Sequence, residues 1–365
     1  MPNGTTGDFC RDRYIFNLDI GQLKGATRAE TSVEYWGGHI GTSNQDFKVN
    51  GHNWIPISQP ENTPTDPHCY FRTLLGNPAV AVPLEQLKPG VNEIEFRAGP
   101  QICYNFNNGF YWLYSFTLFV YYNKSTTHPI GKITQPASGS LMGDNPVLQV
   151  SAESSNSTIK QVDFIGLYED FDFEGNGQFR QWHYQVRQGR FKHHIGTSFY
   201  QPYTITWDTD WLPDQNKQIR IMACITDSNG VSYMTAPAEN IQLKRNRSVK
   251  MYKAGDVPEY FGVHWWHQNK SCKFTIPDDI SRAVNARLVL STWSMAHAKR
   301  ISFNNHKLTD GIGKVHDYSL DVIAVPISFI KKGVNVLSLF NDEKNHPAEI
   351  NWPGPILLIE FQVKK

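Results

Sequence analysis

The chain has 365 residues, with 35 basic against 34 acidic side chains and a net charge of +1. That length accommodates about two or three domains with cores of their own, and the even charge balance excludes a strongly basic surface for nucleic acid or anionic membrane. The longest apolar stretch, "WLYSFTLFVYY" from Trp112, is too short to span a bilayer, which takes roughly 20 residues, and reads as a strand buried on both faces.

Aromatic residues are frequent, with 10 Trp, 16 Tyr and 21 Phe, and long Ala/Leu/Glu/Lys runs are missing. This composition predicts a β-rich, loop-rich protein. The opening "MPNGTTGDFCRDR" is polar from its start, so it is not a leader peptide; a mature chain whose removed leader is replaced by Met reads the same way. N-x-[ST] sequons begin at Asn3, Asn123, Asn156, Asn246 and Asn269, which gives weak support to a secreted or cell-surface location. Five cysteines show no metal-ligand spacing. Cys69 and Cys103 form one candidate pair, and isolated buried thiols are the alternative.

In chain order, the first extended run is "YIFNLDI", followed by "SVEYW" and "FKVNGH". "AVPLEQLKPGVN" from Ala81 then aligns without gaps to "AVPISFIKKGVN" from Ala324. Both describe a strand that stops at Pro, a short turn that packs two apolar residues, and a Gly that supplies positive φ before the next strand. Upstream, "SVEYW" parallels "LVLSTW", so that Trp36 answers Trp293 and Asn50 answers Asn304. Each repeat closes on an apolar strand, "FTLFVYY" or "ILLIEFQV". Residues about 8–125 and 248–363 are therefore read as two copies of one all-β module. The pentapeptide "HIGTS", which occurs at His39 and again at His194, does not mark this repeat, because its flanks do not match.

Between the copies, strands such as "IKQVDFIGLYEDF" and "PYTITWDT" alternate with Pro/Gly/Asp/Asn turns, the spacing of an immunoglobulin-like sandwich. This segment resembles the Ig-like modules of secreted glycan-processing proteins in "PYTITWDT" and "DSNG". The outer copies resemble galactose-binding-like jelly rolls in the order "W…F-x-V-N-G…VPL…L-x-x-G-x-N". The resemblance implies an all-β chain with a jelly roll over 1–126, an Ig-like sandwich over 127–246 and a second jelly roll over 247–365. It also implies a place among carbohydrate-active proteins, though such folds host many functions.

Three groups of residues are candidate sites. In "LYEDFDFEGNGQFRQWHYQ", Asp170, Asp172, Glu174 and Asn176 alternate, with Gly175 at the turn, as oxygen ligands round a calcium ion do. Position twelve of that loop is Gln181 rather than Glu, and no helices flank it, so a solvated acidic loop is the competing reading. Glu169, Asp170, His183 and His194 are candidate acid–base groups, set against ordinary hydrogen-bonded side chains; adjacent His193 and His194 point to opposite faces if they lie on a strand. For sugar binding, Trp36, His39, Trp54, Tyr104 and Trp112 stand in the first jelly roll. The amide-and-aromatic loop "YNFNNGFYW" there is matched to "EINWPGP" with Trp352, and Trp265 and His267 come from "VHWWHQNK". Each ring taken singly is better explained as core, but the group predicts at least one exposed platform. No GxSxG, HExxH or GxxxxGK[ST] is present.

The expected function is extracellular polysaccharide binding through jelly-roll loops, with avidity from two copies. A glycoside hydrolase or polysaccharide lyase with its site where the Ig-like segment meets a jelly roll is the first alternative, and a structural surface protein is the second.

Overall fold

The computed structural model describes residues 8–37, 41–58, 75–101, 109–172, 184–263, 269–344 and 347–363. Among these the regular elements are β-strands and short 3-10 turns, with no α-helix. Strand pairings fall into three groups, within 8–122, 130–243 and 247–362.

The first group is a two-sheet sandwich. One sheet runs Arg13–Ile20, Gly90–Arg97, Asp46–Val49, Ile55–Pro56; the other runs Asp8–Cys10, Tyr111–Tyr122, Ala26–Trp36, with Leu75–Gly76 and Ala79–Val82 along the last strand's free edge. Alternate residues such as Phe47, Val49, Ile94 and Phe96 from one sheet meet Val33, Tyr35, Tyr111 and Leu113 from the other in the core. The period of two in "EIEFR" thereby sends Glu93, Glu95 and Arg97 to the outer face.

The third group repeats this order. Asn269–Ile276, Gly333–Phe340, Arg300–Phe303 and His306–Thr309 make one sheet; Arg247–Lys253, Ile356–Gln362 and Ala283–Trp293 lie in the other, with Tyr318–Ala324 on the last strand's edge. The turn after each "VP" is built from the same bonds. Asn92 accepts from the Lys88 N–H and donates to the Lys88 and Gly90 carbonyls, and Asn50 donates to Asn92 Oδ1 at 2.8 Å. Asn335, Lys331, Gly333 and Asn304 reproduce every one of these contacts, again with 2.8 Å between the two amides. Gly90 and Gly333 have φ of +84° and +93°, and Pro83 and Pro326 precede the matching 3-10 turns Leu84–Gln86 and Ile327–Phe329.

Register fixes further equivalences. Ala29 pairs with Val82, and Val325 bonds back to Ala286. Trp36 pairs with Leu75 on one side and Trp112 on the other, where Trp293 pairs with Tyr318 and Glu349. The counterpart of Trp112 is therefore Glu349, not Trp352. Strand Tyr111–Tyr122 is continuous, whereas its third-group equivalent is split into Ala348–Ile350 and Ile356–Gln362 by "NWPGP", since proline has no N–H to give a ladder. Strand Tyr111–Tyr122 is wholly buried only over residues 111–115, half-buried over 116–121 and exposed at Tyr122.

The middle group is a sandwich of Ile130–Gln135, Val147–Glu153 and Tyr203–Thr206 against a sheet led by Ile159–Leu167 and Ile219–Asp227. Leu148, Val150, Phe164, Trp207 and Ile221 fill it. A separate hairpin, Gln185–Arg187 with Arg190–Lys192, turns through Gln188 and Gly189 at φ of +49° and +72°, the two left-handed positions of a tight hairpin turn. It docks on the first module: Val186 exchanges two hydrogen bonds with the Asn77 amide, and its carbonyl also accepts from Ser115 Oγ at 3.2 Å.

Candidate functional site

All three groups meet at the Trp36 end of the Ala26–Trp36 strand. Glu34 points away from the first module's core yet is fully buried. Its carboxylate accepts from the Tyr318 hydroxyl of the third group and from Ser115 Oγ at 3.2 Å, and lies 3.7 Å from Arg187 Nε of the hairpin. Arg187 Nη1 in turn donates to the Tyr318 hydroxyl at 3.0 Å. Burial pushes the Glu34 carboxyl above its ordinary range, against the lowering effect of the Tyr318 bond, Arg187 and Ser115. Trp36, Trp112, Tyr114, Trp293 and Tyr318 enclose this group as one aromatic cluster, and Trp36 Nε1 donates to Asn351 Oδ1 at 3.0 Å. The junction joins modules, and its aromatic faces are occupied by one another.

This placement decides several sequence expectations. Trp36 and Trp112 are buried, with only 4% and 8% of their surface exposed, so neither ring is open to a sugar. Trp352 is half-buried and packs against the first module's core. His39, Tyr104, Trp265 and His267 lie outside the described residues. Within the middle group, Glu169 ties a loop, accepting from the Asn216 backbone and side-chain amides at 2.9 Å each. Asp170 is half-buried beside Arg287 of the third module, its carboxyl pushed up to about 6 by burial. His194 bonds instead to Thr197 at 2.7 Å, near Asp163, and burial pulls its pKa down. Its neighbour His193 has φ of +58° and sits in a bend rather than a strand. The acid–base candidates thus divide into separate sets of contacts, with His183 outside the described residues. Of the calcium loop, Asp170 and Asp172 are described, while Glu174 and Asn176 are not. Among the described residues, no group of three or more His, Cys, Asp or Glu could hold a metal ion. Cys10, Cys224 and Cys272 are buried free thiols; Cys69 and Cys103 lie outside the described residues.

Trp54 is the half-buried ring that the junction does not consume. It stands on the outer face of the first module's four-stranded sheet, with the Arg97 guanidinium 4.1 Å and Lys48 Nζ 4.5 Å from its ring centre. Arg97 forks onto Asp46 through Nε and Nη2 at 2.9 and 2.6 Å. Glu95 bridges Arg13 at 2.7 Å and Lys48 at 2.9 Å. Burial alone raises the Glu95 pKa, but the hydrogen bonds from Lys48 and Arg13 outweigh it and hold the carboxyl below its usual range. These side chains share a face because the strand period is two and the pairs Arg13–Arg97, Asp46–Arg97 and Lys48–Glu95 stand in register. Trp54 was legible as an aromatic beside a loop; the cations beneath it follow from the alternation in "DFKV" and "EIEFR".

No family model matches the chain, and no curated protein matches it. Among solved structures, the chain is similar to the fibronectin(III)-like modules of Clostridium thermocellum CbhA at 18% identity and a TM-score of 0.21, covering 32% of this chain and 98% of that one. It is similar to a β-porphyranase of glycoside hydrolase family 86 from the human gut bacterium Bacteroides plebeius at 11% identity and a TM-score of 0.25, covering 67% of this chain and only 39% of that one. A carbohydrate-binding module of the β-sandwich superfamily aligns at 11% identity and a TM-score of 0.18, over 66% of this chain and 98% of that one. At such scores these likenesses carry no argument about function, and the site is read from its own chemistry.

Proposed function

We propose that this chain binds carbohydrate, and that the binding surface is the outer sheet face around Trp54 of the first module. The observation that carries this reading is a half-buried indole on a polar sheet face, with the Arg97 guanidinium and Lys48 ammonium against its ring. Sugars present apolar C–H faces and ringed hydroxyls, and an indole flanked by fixed hydrogen-bonding groups suits both. The reading moves the binding surface from the loops to a sheet. It also withdraws the avidity argument, since the third module builds the same face from Asn269, Ser302, Ser338, Arg300 and Phe340. A secreted or cell-surface location is part of the proposal, and the sequon asparagines Asn123, Asn156, Asn246 and Asn269 are all exposed.

The test is a glycan-array screen of the full chain with product analysis, beside the Trp54→Ala variant. Loss of a binding hot spot weakens affinity by about thirtyfold or more, with melting unchanged because the ring is outside the core. Retained binding in a folded Trp54→Ala protein would place the surface elsewhere, and released sugar would move the assignment to an enzyme.

A further inference from the structure

The first module's outer face has a chemistry that its fold does not require. The two copies share strand order, register and turn bonds, yet Arg13, Asp46, Lys48, Glu95 and Arg97 in the first correspond to Asn269, Arg300, Ser302, Ser338 and Phe340 in the third. A sandwich of this topology therefore forms with one charge in place of five at these positions, and the charges of the first copy need another explanation.

Their layering supplies one. The acids lie low: the Glu95 side chain is 4% exposed and Asp46 14%. The cations stand above them: Arg13 is 61% exposed, Arg97 34% and Lys48 21%. Within this ion-paired network three positive groups meet two negative ones, with Glu93 exposed on the same face outside it, and the outward edges of the network are guanidinium and ammonium N–H groups. Arg97 uses Nε and Nη2 on Asp46, while Arg13 meets Glu95 through Nε, so the planar ends retain donors in the fork geometry that fits carboxylate or sulfate. Buried acids hold these cations in fixed positions, which lowers the entropy lost when an anion docks.

We propose that the face around Trp54 selects an anionic polysaccharide, one pyranose lying on the indole while its carboxylate or sulfate is taken by Arg13, Lys48 or Arg97. This inference rests on the carbohydrate-binding reading above and specifies its ligand class.

Affinity electrophoresis of the full chain through gels containing polygalacturonate, ι-carrageenan, neutral galactan or single-stranded DNA tests it. Retardation by polygalacturonate or ι-carrageenan at least about tenfold stronger than by galactan is expected, since one charge-assisted hydrogen bond contributes about that factor. Which of the two retards the chain tells carboxylate from sulfate. Raised salt should weaken retention. Lys48→Gln, whose amide still donates to the buried Glu95, should lose about tenfold in affinity in a chain that remains folded, and Lys48→Arg should restore most of that affinity. Equal retention by galactan, with Trp54 still required, would overturn the anionic inference and leave the carbohydrate reading standing. Retention by DNA equal to that by polygalacturonate would overturn it as generic charge attraction. A folded chain that no polysaccharide retards would overturn both.

Discussion

Trp36 and Trp293 hold equivalent positions in the two jelly-roll-like copies, and their rings stack on each other 3.9 Å apart at 12°. Contact between equivalent residues is the mark of an isologous interface, in which one surface patch meets its own copy. The two modules are thus arranged like the halves of a dimer joined in one chain. The neighbours depart from that rule: Trp36 reaches Asn351 in the third module, while Trp293 packs against Trp112 in the first, and Trp112 is the register counterpart of Glu349 rather than of Asn351. The chemistry has diverged since the copies arose, because Tyr318 stands where the first copy has Leu75.

The stack should be measurable as a coupling. Trp36→Ala and Trp293→Ala should each cost about 3–5 kcal/mol, as for large buried aromatics. In a double-mutant cycle the pair should couple by about 0.5–1.5 kcal/mol. Strictly additive losses in chemical denaturation would mean that the two rings do not support each other.

The repeated turns make a paired prediction. A Cβ on Gly90 or Gly333 meets nothing within 4 Å, so Gly→Ala at either site is opposed by the left-handed backbone alone, about 1–2 kcal/mol. Asn92→Ala or Asn335→Ala removes several bonds from a fully buried amide and should cost more, about 1–3 kcal/mol. The two copies should respond alike, and a large difference between Asn92 and Asn335 would contradict their shared network.

The legible part of this fold was local. Pro, two apolar residues, Gly and Asn within a dozen positions specify a turn without reference to the rest of the chain, so Pro83 and Pro326 announced the repeat. The junction was not local. Trp36 and Trp112, each better explained as core when taken singly, still entered the candidate binding group, because nothing in "SVEYW" or "GFYW" says that a second copy will cover them. One signal was available: Glu34 is an acid inside the most apolar stretch of its strand, which asks for a partner from elsewhere. Arg187 and Tyr318 supply that partnership from distant segments, and sequence order does not place them together. The match of "YNFNNGFYW" to "EINWPGP" failed for a different reason, since Pro353 and Pro355 break a strand that its counterpart runs through.

Asp170 gives a pH dependence. With its carboxyl pushed up to about 6 by burial, the folded chain keeps a proton that the unfolded chain releases near 4. Between those values the native state binds more protons, so stability falls as pH rises from about 4 to about 6. Asp170→Asn carries no charge at either pH and should flatten that part of the melting-temperature profile. An unchanged difference between wild type and variant from pH 4 to 7 would show that burial does not raise the Asp170 carboxyl in the folded chain.

Arg187 and Glu34 allow the junction itself to be taken apart. Arg187→Ala removes the cation that faces the buried Glu34 carboxylate, and stranding a buried charge costs about 3–5 kcal/mol. It also removes a donor to the Tyr318 hydroxyl and a guanidinium from over the Tyr114 and Tyr318 rings. Glu34→Gln keeps a side-chain carbonyl for Tyr318 and Ser115 while discarding the charge, so it should cost much less, about 1 kcal/mol. The double variant Glu34→Gln/Arg187→Ala should then be more stable than Arg187→Ala alone, because no uncompensated charge remains. Lowering the pH should rescue Arg187→Ala in the same way, by protonating a Glu34 whose pKa burial already raises. If the double variant is instead as unstable as the sum of its parts, and acid brings no recovery, then Arg187 holds the three modules together by packing and its charge is incidental.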